Sequence, residues 1–204
     1  MFQALKTWAT WPLFSVTREY LNGTEASSLN EARLGYDEFN HEVHIYAPAY
    51  REGEFREIMR YASTIIFNTI AEWRKFKPTI LAYEQETGKH ISCGLRLNPS
   101  YTPKNEHDGL WSPTAPGSRL GTRLPELEAA LAEDPRILDD IEGFHFHVFW
   151  DKQLPDLRDA LAVIERDFGA YFVSKKWINF GGGQQITNDE YDVEGLIETI
   201  NTFQ

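Results

Sequence analysis

The sequence is poor in sulfur and in long apolar stretches. Its 204 residues include two methionines and one cysteine, Cys93, and no apolar run approaches the ~20 residues that a membrane-spanning helix needs. A single cysteine excludes an intramolecular disulfide, and a thiol inside an apolar strand is typical of a reducing compartment. The N-terminus also lacks a basic segment followed by an apolar one, so no signal peptide is predicted. We therefore expect a cytoplasmic protein without a membrane span.

Basic residues are scarce as well. Lys and Arg number 20 against 31 Asp and Glu, giving a net charge of -11. This excess of negative charge argues against nucleic acid as a partner and is compatible with a cationic ligand, although most acidic proteins are merely soluble. The length and a hydrophobic content of 42% suffice for a sizeable core. We predict one domain over residues 1–204.

Short apolar segments alternate with helical patterns along the whole chain. A helix start is indicated at Ser28 and Glu31, which have the spacing of a capping box. Another helix is predicted between Pro155 and Gly169, and a third begins at Val193. Such alternation predicts a parallel sheet with right-handed crossovers. The predicted strands are Phe2 to Leu5, Gly23 to Ala26, Glu42 to Tyr46, Thr64 to Phe67, Ser92 to Leu97, Gly143 to Phe149 and Trp177 to Phe180.

Three of these strand ends carry residues suited to chemistry. They are Lys6, His147 and the glycine run Gly181, Gly182 and Gly183. In a parallel α/β barrel the active site lies at the carboxyl ends of the strands, so these features would share one mouth. Together they suggest a pocket for pyridoxal phosphate, because a lysine amine can bond to its aldehyde and glycine N–H groups can hold its phosphate. Taken singly, the lysine could be solvated and the glycines a tight turn.

Alternation within the strands predicts which side chains face inward. His145 and His147 share the face opposite Phe144 and Phe146, and Arg96 lies opposite Cys93 in its strand. The histidines could be satisfied polar groups of the core, and Arg96 could form a structural ion pair. A metal site is not expected, because it needs three or four ligands and no matching Cys, His or carboxylate pair stands nearby. The longest irregular stretch, Asn98 to Thr122, is of a length that is more often functional or disordered.

Several segments spread over essentially all 204 residues match one known family. They are ALKTWATW, EASSLNEARLG, IIFNT, GLRLNPS, APGSRLG, GFHFHVFWD, WINFGGGQQIT and YDVEGLI. SRLG together with the glycine-containing segment is the most telling. On these segments the chain resembles the carboxynorspermidine decarboxylases, which are fold-type III pyridoxal-phosphate decarboxylases.

The resemblance implies a role for each matching residue. Lys6 is implied as the Schiff-base lysine, His147 as the residue that stacks on the cofactor ring, and Arg96 as a contact of its phenolate side. Gly181, Gly182 and Gly183 are implied to hold the phosphate. Asp151 matches an acidic position that meets the substrate, and Ser28 and Glu31 match the serine and acidic residue that open the second helix.

The chain also departs from the family pattern. Gln184 and Gln185 stand where the family commonly has paired histidines. The family has an upstream segment before Lys6, and after the position of Gln204 it has a last barrel strand and a C-terminal β domain. Cys93 lies in the wrong segment to replace that domain's cysteine. We therefore expect a chain truncated at both ends and an incomplete (β/α) barrel of about seven strands.

The implied activity is decarboxylation of carboxynorspermidine or carboxyspermidine to norspermidine or spermidine, with pyridoxal 5'-phosphate as cofactor and a homodimer as the complete enzyme. Two alternatives stay open. One is a diaminopimelate-type amino-acid decarboxylase, which the pattern around SRLG and FHVFWD disfavours. The other is a non-catalytic homologue that binds pyridoxal phosphate or has a regulatory role.

Overall fold

The computed structural model describes residues 1–102, 112–148 and 153–203. The described contacts group the chain into two compact units. The first unit comprises Met1–Leu95 with Asp140–Glu142, and the second comprises Arg96–Asp139 with Gly143–Gln204. Asp151 lies outside the described residues. The prediction of one domain over residues 1–204 stays a prediction.

The first unit is built from parallel strands joined by helices. Neighbouring strands pair in sequence order, and Ala4, Glu25 and His44 lie side by side in register. Its strands are β1 (Phe2–Ala4), β2 (Gly23–Ala26), β3 (Glu42–Tyr46), β4 (Thr64–Phe67) and the start of β5 (Ser92–Asn98). Its helices are α1 (Phe14–Thr17), α2 (Leu29–Leu34), α3 (Glu52–Tyr61) and α4 (Ile70–Thr87).

Side-chain caps explain where two of these helices begin. The Ser28 hydroxyl accepts a hydrogen bond from Glu31 N at 3.2 Å, and the Glu31 carboxylate accepts one from Ser27 N at 2.7 Å. Thr69 caps α4 in the same way, accepting from Glu72 N at 3.1 Å. These bonds satisfy N–H groups that have no partner within the helix itself. The predicted helix start at Ser28 is confirmed.

Aromatic side chains fill the core of the first unit. Phe55 and Phe76 stack with their ring centroids 4.0 Å apart, on the side where α3 and α4 cover β4. The buried hydroxyl of Tyr50 donates to the carbonyl oxygens of Ile45 and Ile66, at 3.0 and 2.9 Å. This hydroxyl therefore bridges the backbones of β3 and β4 where the two strands approach their carboxyl ends.

The second unit contains the end of β5 and the remaining elements. The end of β5 pairs in parallel with β6 through Leu97 and Thr122, and β7 pairs in parallel with β8. Phe144, Phe146 and Val148 are buried, as their predicted common apolar face requires. The elements are β6 (Thr122–Arg123), β7 (Gly143–His145), β8 (Trp177–Asn179), α5 (Leu124–Glu133), α6 (Leu154–Phe168) and α7 (Val193–Thr202).

The helix start predicted at Val193 is confirmed, since α7 begins there. Residues 184–192 separate the glycine run from this helix. Asp192 caps α7, its carboxylate accepting from Gly195 N at 2.8 Å. The positive end of α7 is therefore occupied by this cap and does not follow the glycines. Among the described helices, none has the length and apolarity needed to cross a membrane.

Candidate active site

The second unit brings His147 and the glycine run together. The chain runs from β7 through Phe146 to His147, and from β8 through Phe180 to Gly181. Phe146 N donates to the carbonyl oxygen of Asn179 at 2.9 Å, which keeps the two chain segments side by side beyond the ends of their strands. Gly182 N donates to Nδ1 of His147 at 3.3 Å. The ring of His147 therefore contacts the backbone of the glycine run.

The three glycines are not equivalent. Gly181 and Gly183 have positive φ angles of 72° and 97°, which side chains rarely adopt. A Cβ at Gly181 would lie 2.5 Å from the carbonyl oxygen of Phe146 and 2.7 Å from Nδ1 of His147. A Cβ at Gly182 would meet no atom of the described residues within 4 Å. Within this part of the chain, the run is thus packed against His147 at Gly181 and has open space at Gly182.

Arg96 reaches the same chain segment from β5. Its side chain is only 4% exposed, and Nη2 donates to the carbonyl oxygen of His147 at 3.1 Å. A guanidinium buried to this extent needs polar partners, since desolvating the charge alone is costly. Arg96 places a permanent positive charge near His147.

His145 lies deeper on the same strand face. It is 4% exposed, and its ring lies 6.3 Å from that of His147, with the ring planes 20° apart. The two rings therefore form a parallel pair on the face opposite Phe144 and Phe146, as the alternation predicts.

One of the two glutamines after the glycine run, Gln185, contacts two other polar side chains. Gln185 Oε1 accepts from Gln153 Nε2 at 2.7 Å, and also from Asn188 Nδ2 at 3.4 Å. Gln185 therefore ties the segment after the glycine run to the start of α6. Gln184 lies in that same segment and is half-buried.

Lys6 belongs to the first unit and is exposed there. It lies in a turn just after β1, in which the N–H groups of Thr7 and Trp8 bond to the carbonyl oxygen of Ala4. The sequence left open whether Lys6 is buried or solvated. In the structure of this unit Lys6 is exposed. Leu5 N, directly before Lys6, donates to the carbonyl oxygen of Glu25 at 3.0 Å, which fixes the backbone that carries Lys6.

Sequence reasoning missed a cluster around His44 in the first unit. The ring of His44 stacks on Phe2 with centroids 4.0 Å apart, and its Nε2 lies 3.3 Å from a carboxylate oxygen of Glu42. Phe2 reaches His44 across β2 because Gly23 has no side chain in between. Burial lowers the pKa of His44, and the contact with Glu42 partly opposes this shift. The alternation of His44 and Tyr46 in EVHIY was the available signal.

Among residues 1–102, 112–148 and 153–203, no group of three or more His, Cys, Asp or Glu is arranged to hold a metal ion. The contacts that distinguish the site are therefore ring, guanidinium and backbone N–H groups.

Solved structures define the class of fold. The chain aligns over 98% of its length with a diaminopimelate decarboxylase at a TM-score of 0.74, and over 89% with a lysine/ornithine decarboxylase from Vibrio vulnificus at 0.60, both at 16% identity. These matches cover 48% and 44% of the solved chains. The predicted fold class, an α/β fold with the parallel strands of an incomplete (β/α) barrel, is confirmed.

A narrower group of relatives follows from higher identity. The structure of carboxynorspermidine decarboxylase from Campylobacter jejuni, complexed with norspermidine, matches 99% of this chain and 48% of its own, with a TM-score of 0.81 and 34% identity. The resemblance to carboxynorspermidine decarboxylases is thereby confirmed.

Curated relatives agree with the structural match. Carboxyaminopropylagmatine decarboxylase of Synechocystis sp. is 36% identical over 200 residues, and carboxynorspermidine/carboxyspermidine decarboxylase of Campylobacter jejuni is 36% identical over 202. The Herminiimonas arsenicoxydans enzyme of the latter name is 31% identical over 201 residues. Each alignment covers 98% of this chain, which spans about half the length of these relatives. No protein-family model matches the chain.

Proposed function

We propose that this chain carries the cofactor-binding residues of a pyridoxal-phosphate-dependent decarboxylase that acts on a carboxylated polyamine. The observation that carries the proposal is the convergence of His147, Arg96 and the glycine run in one unit of a chain that resembles such decarboxylases over nearly its whole length. The decarboxylase interpretation thus rests on both geometry and similarity.

The residues of the second unit fit a phosphorylated aromatic ring. The open space at Gly182 gives an oxyanion access to the backbone of the glycine run. The half-buried imidazole of His147 offers a flat face for stacking, and the guanidinium of Arg96 offers a positive charge for an anionic ring oxygen. In this proposal Gly181, Gly182 and Gly183 hold the phosphate.

Lys6 would supply the amine that attaches the cofactor. When bound, pyridoxal phosphate supplies an electron sink for the electrons left behind as CO2 departs. The chain's own contribution is to orient the ring through His147, to neutralise charge through Arg96, and to present the amine of Lys6.

For the substrate we propose carboxynorspermidine or carboxyspermidine, with norspermidine or spermidine as product. Carboxyaminopropylagmatine is a second candidate, because the Synechocystis decarboxylase named for it is as similar to this chain as the Campylobacter enzyme is. All three candidates are cationic, which suits the net charge of -11. Asp151 would meet a substrate ammonium group. We further propose a cytoplasmic homodimer for the active enzyme.

The first experiment tests cofactor attachment in the chain itself. The purified protein is incubated with pyridoxal 5'-phosphate, reduced with borohydride and digested, and the modified lysine is located by mass spectrometry. We expect labelling of Lys6 and its loss in Lys6→Ala. The exposed Lys176 provides the matched control, since the Lys176→Ala variant should be labelled at Lys6 as the wild type is. Labelling confined to other lysines would contradict the proposed role of Lys6.

The second experiment tests turnover. A chimera is made in which this chain replaces the corresponding segment of the Campylobacter jejuni enzyme. CO2 release by the chimera is measured with each of the three candidate substrates. Lys6→Ala should abolish release, and His147→Ala should weaken cofactor binding while labelling of Lys6 continues. Asp151→Asn should raise KM more than it lowers cofactor affinity, since a charge-assisted contact is worth about 1.5–3 kcal/mol. A chimera that holds cofactor without releasing CO2 would favour the non-catalytic alternative.

A further inference from the structure

We propose that His147 positions the glycine run through its Nδ1 atom, and that binding of an anion at Gly182 is therefore linked to protonation of the His147 ring. This inference rests on the proposed function, because it takes the glycine run as the phosphate site. It adds a role for His147 beyond stacking on a cofactor.

The contact that carries the inference is the hydrogen bond from Gly182 N to Nδ1 of His147, 3.3 Å long. The backbone of Gly181 packs against the same ring atom, since a Cβ at Gly181 would lie 2.7 Å from Nδ1. The backbone bond between Phe146 and Asn179 holds the two segments together directly before these residues. The imidazole is thus seated against the glycine run by the surrounding backbone.

This hydrogen bond determines which ring nitrogen carries the proton. A ring nitrogen that accepts a hydrogen bond has no proton of its own, so the neutral ring of His147 bears its hydrogen on Nε2. A doubly protonated ring has donors at both nitrogens and cannot accept from Gly182. In the structure as it stands, the seated run therefore favours the neutral ring.

An anion at the glycine run competes for the same N–H group. The open space at Gly182 lets an oxyanion approach, but its backbone N–H cannot fully serve both the anion and Nδ1. When the anion takes the N–H, Nδ1 is released and a negative charge stands nearby. Both changes favour the protonated ring. Anion binding should consequently be accompanied by proton uptake at His147.

Arg96 and His145 are charged or titratable groups of the described chain that lie near His147. From β5, Arg96 donates to the carbonyl oxygen of His147, and its positive charge disfavours ring protonation with or without the anion. From β7, the ring of His145 lies 6.3 Å from that of His147. Asn179, at the end of β8, and the glycines after it carry no charge. The proposed linkage lies in the anion and in the bond from Gly182 N to Nδ1.

The pH dependence follows from this linkage. Because the anion raises the pKa of His147, the added affinity is fully present below the pKa of the unliganded ring. It is lost as pH rises through the pKa of the liganded ring. With one proton taken up, affinity falls by at most about tenfold per pH unit between the pKa of the unliganded ring and that of the liganded ring. By reciprocity, the anion must raise the ring pKa by the same linkage.

Sulfate is the probe, because its charge does not change between about pH 5 and 8 and any pH dependence then belongs to the protein. The ¹⁵N-labelled chain is titrated with sulfate by NMR at several pH values, following the Gly182 amide and the His147 ring nitrogens. We expect Nδ1 to be unprotonated without sulfate, the Gly182 amide to shift on binding, and the ring pKa to rise. Affinity should weaken three- to tenfold per unit as pH increases. Sulfate binding that is independent of pH, or a ring pKa unmoved by sulfate, would overturn the proposal.

Two variants separate the acceptor from the ring. His147→Asn places a carbonyl oxygen near the position of Nδ1 but does not titrate, so it should keep the Gly182 amide hydrogen-bonded and bind sulfate with a flat pH profile. His147→Phe keeps a stacking ring without an acceptor, so the Gly182 amide should exchange faster with solvent. A Gly182 amide that is equally protected in His147→Phe would count against the positioning role.

The linkage and the proposed function fail separately. If Lys6 is not labelled by borohydride while sulfate binding still tracks the His147 ring, the decarboxylase proposal is lost and the positioning role stands. Labelling of Lys6 without any pH linkage gives the reverse result. Should a variant not fold, the wild-type titration with and without sulfate still decides the question.

Discussion

Single residues differ sharply in what they tolerate within the glycine run. Gly181 is packed against Phe146 and His147 with a positive φ, whereas Gly182 borders open space. Neighbouring glycines thus serve unlike purposes: Gly181 seats the imidazole, and Gly182 keeps a path to the backbone clear.

This contrast predicts different outcomes for two substitutions. Gly181→Ala should displace His147 and lower the free energy of unfolding by about 1–3 kcal/mol, because its φ is unfavourable for alanine and its Cβ would clash. Gly182→Val should leave stability within about 0.5 kcal/mol of the wild type while weakening binding of pyridoxal 5'-phosphate by occupying the open space. Urea unfolding and cofactor titration measure the two effects. A stable Gly181→Ala variant with an unmoved His147 ring signal would contradict the packing argument.

His44 links stability to pH. Burial lowers its pKa in the folded chain, so the folded state resists protonation that the unfolded state accepts. The stability that depends on neutral His44 is fully present above the unfolded pKa of about 6.5. It is lost as the pH falls from about 6.5 through the lowered pKa of the folded chain. Unfolding free energies measured from pH 7.5 to 5 should therefore decline, and the decline should be shallower in His44→Gln. Equal slopes in both proteins would exclude His44 as the cause.

At the scale of elements, the caps are the most direct link from sequence to structure. Thr69 begins α4, which runs 18 residues to Thr87, and its hydroxyl accepts from Glu72 N. Glu72 in turn accepts from the backbone N–H groups of Asn68 and Tyr50, both at 2.9 Å. The start of α4 is therefore tied to the segments that follow β3 and β4.

Removing this cap should destabilise the first unit. Thr69→Ala should cost about 1 kcal/mol, up to about 2, because Glu72 N loses its acceptor at a partly buried helix start. Thr69→Ser keeps a hydroxyl and is the matched control, expected to lie near the wild type. Denaturant midpoints compared at equal slope test the difference. If Thr69→Ala and Thr69→Ser were equally stable, the cap would contribute nothing measurable.

The elements also show what sequence could and could not predict. β2, β3 and β4 were predicted with the bounds they have, because β-branched and aromatic residues stand between clear breakers. β6 was missed, since its two residues, Thr122 and Arg123, lie where the irregular stretch Asn98 to Thr122 ends and carry no periodic signal. α7 begins at Val193 as predicted, and Asp192 supplies its cap.

For the candidate site, alternation placed Arg96 opposite Cys93 and His147 opposite Phe146, but it gave no sign that Arg96 bonds to the carbonyl oxygen of His147. The bond from Gly182 to Nδ1 was equally invisible, since it depends on the φ angles of Gly181 and Gly183. Side-chain direction follows from strand periodicity, whereas loop contacts depend on backbone torsions that sequence does not specify.

At the scale of the molecule, apolar side chains of α7 and one edge of β1 are exposed. Val193, Ile197 and Ile200 on α7 are each 39–48% exposed. In the described part of the first unit, β1 pairs with β2 alone, so one edge of this strand has backbone groups open to another chain. Both features favour association.

We therefore expect the isolated chain to self-associate. Sedimentation velocity over a hundredfold range of concentration should show species larger than a monomer, because apolar patches and open strand edges are buried by contact. The double variant Ile197→Lys, Ile200→Lys should reduce the larger species, and Glu194→Lys on the same helix controls for added charge alone. A cooperatively unfolding monomer at every concentration would defeat this expectation.

The buried thiol of Cys93 has a practical consequence. It is 3% exposed, and burial raises its pKa, so it forms little of the thiolate that reacts with maleimides and disulfide reagents. The folded chain therefore reacts little with thiol-directed labels. A cysteine placed beside the glycine run would accept a fluorophore selectively without removal of the natural thiol, and Cys93 itself would become reactive only when β5 leaves its neighbours. Cys93 thus leaves an introduced cysteine as the site of labelling in the folded chain, and its own reaction with a thiol reagent reports unfolding.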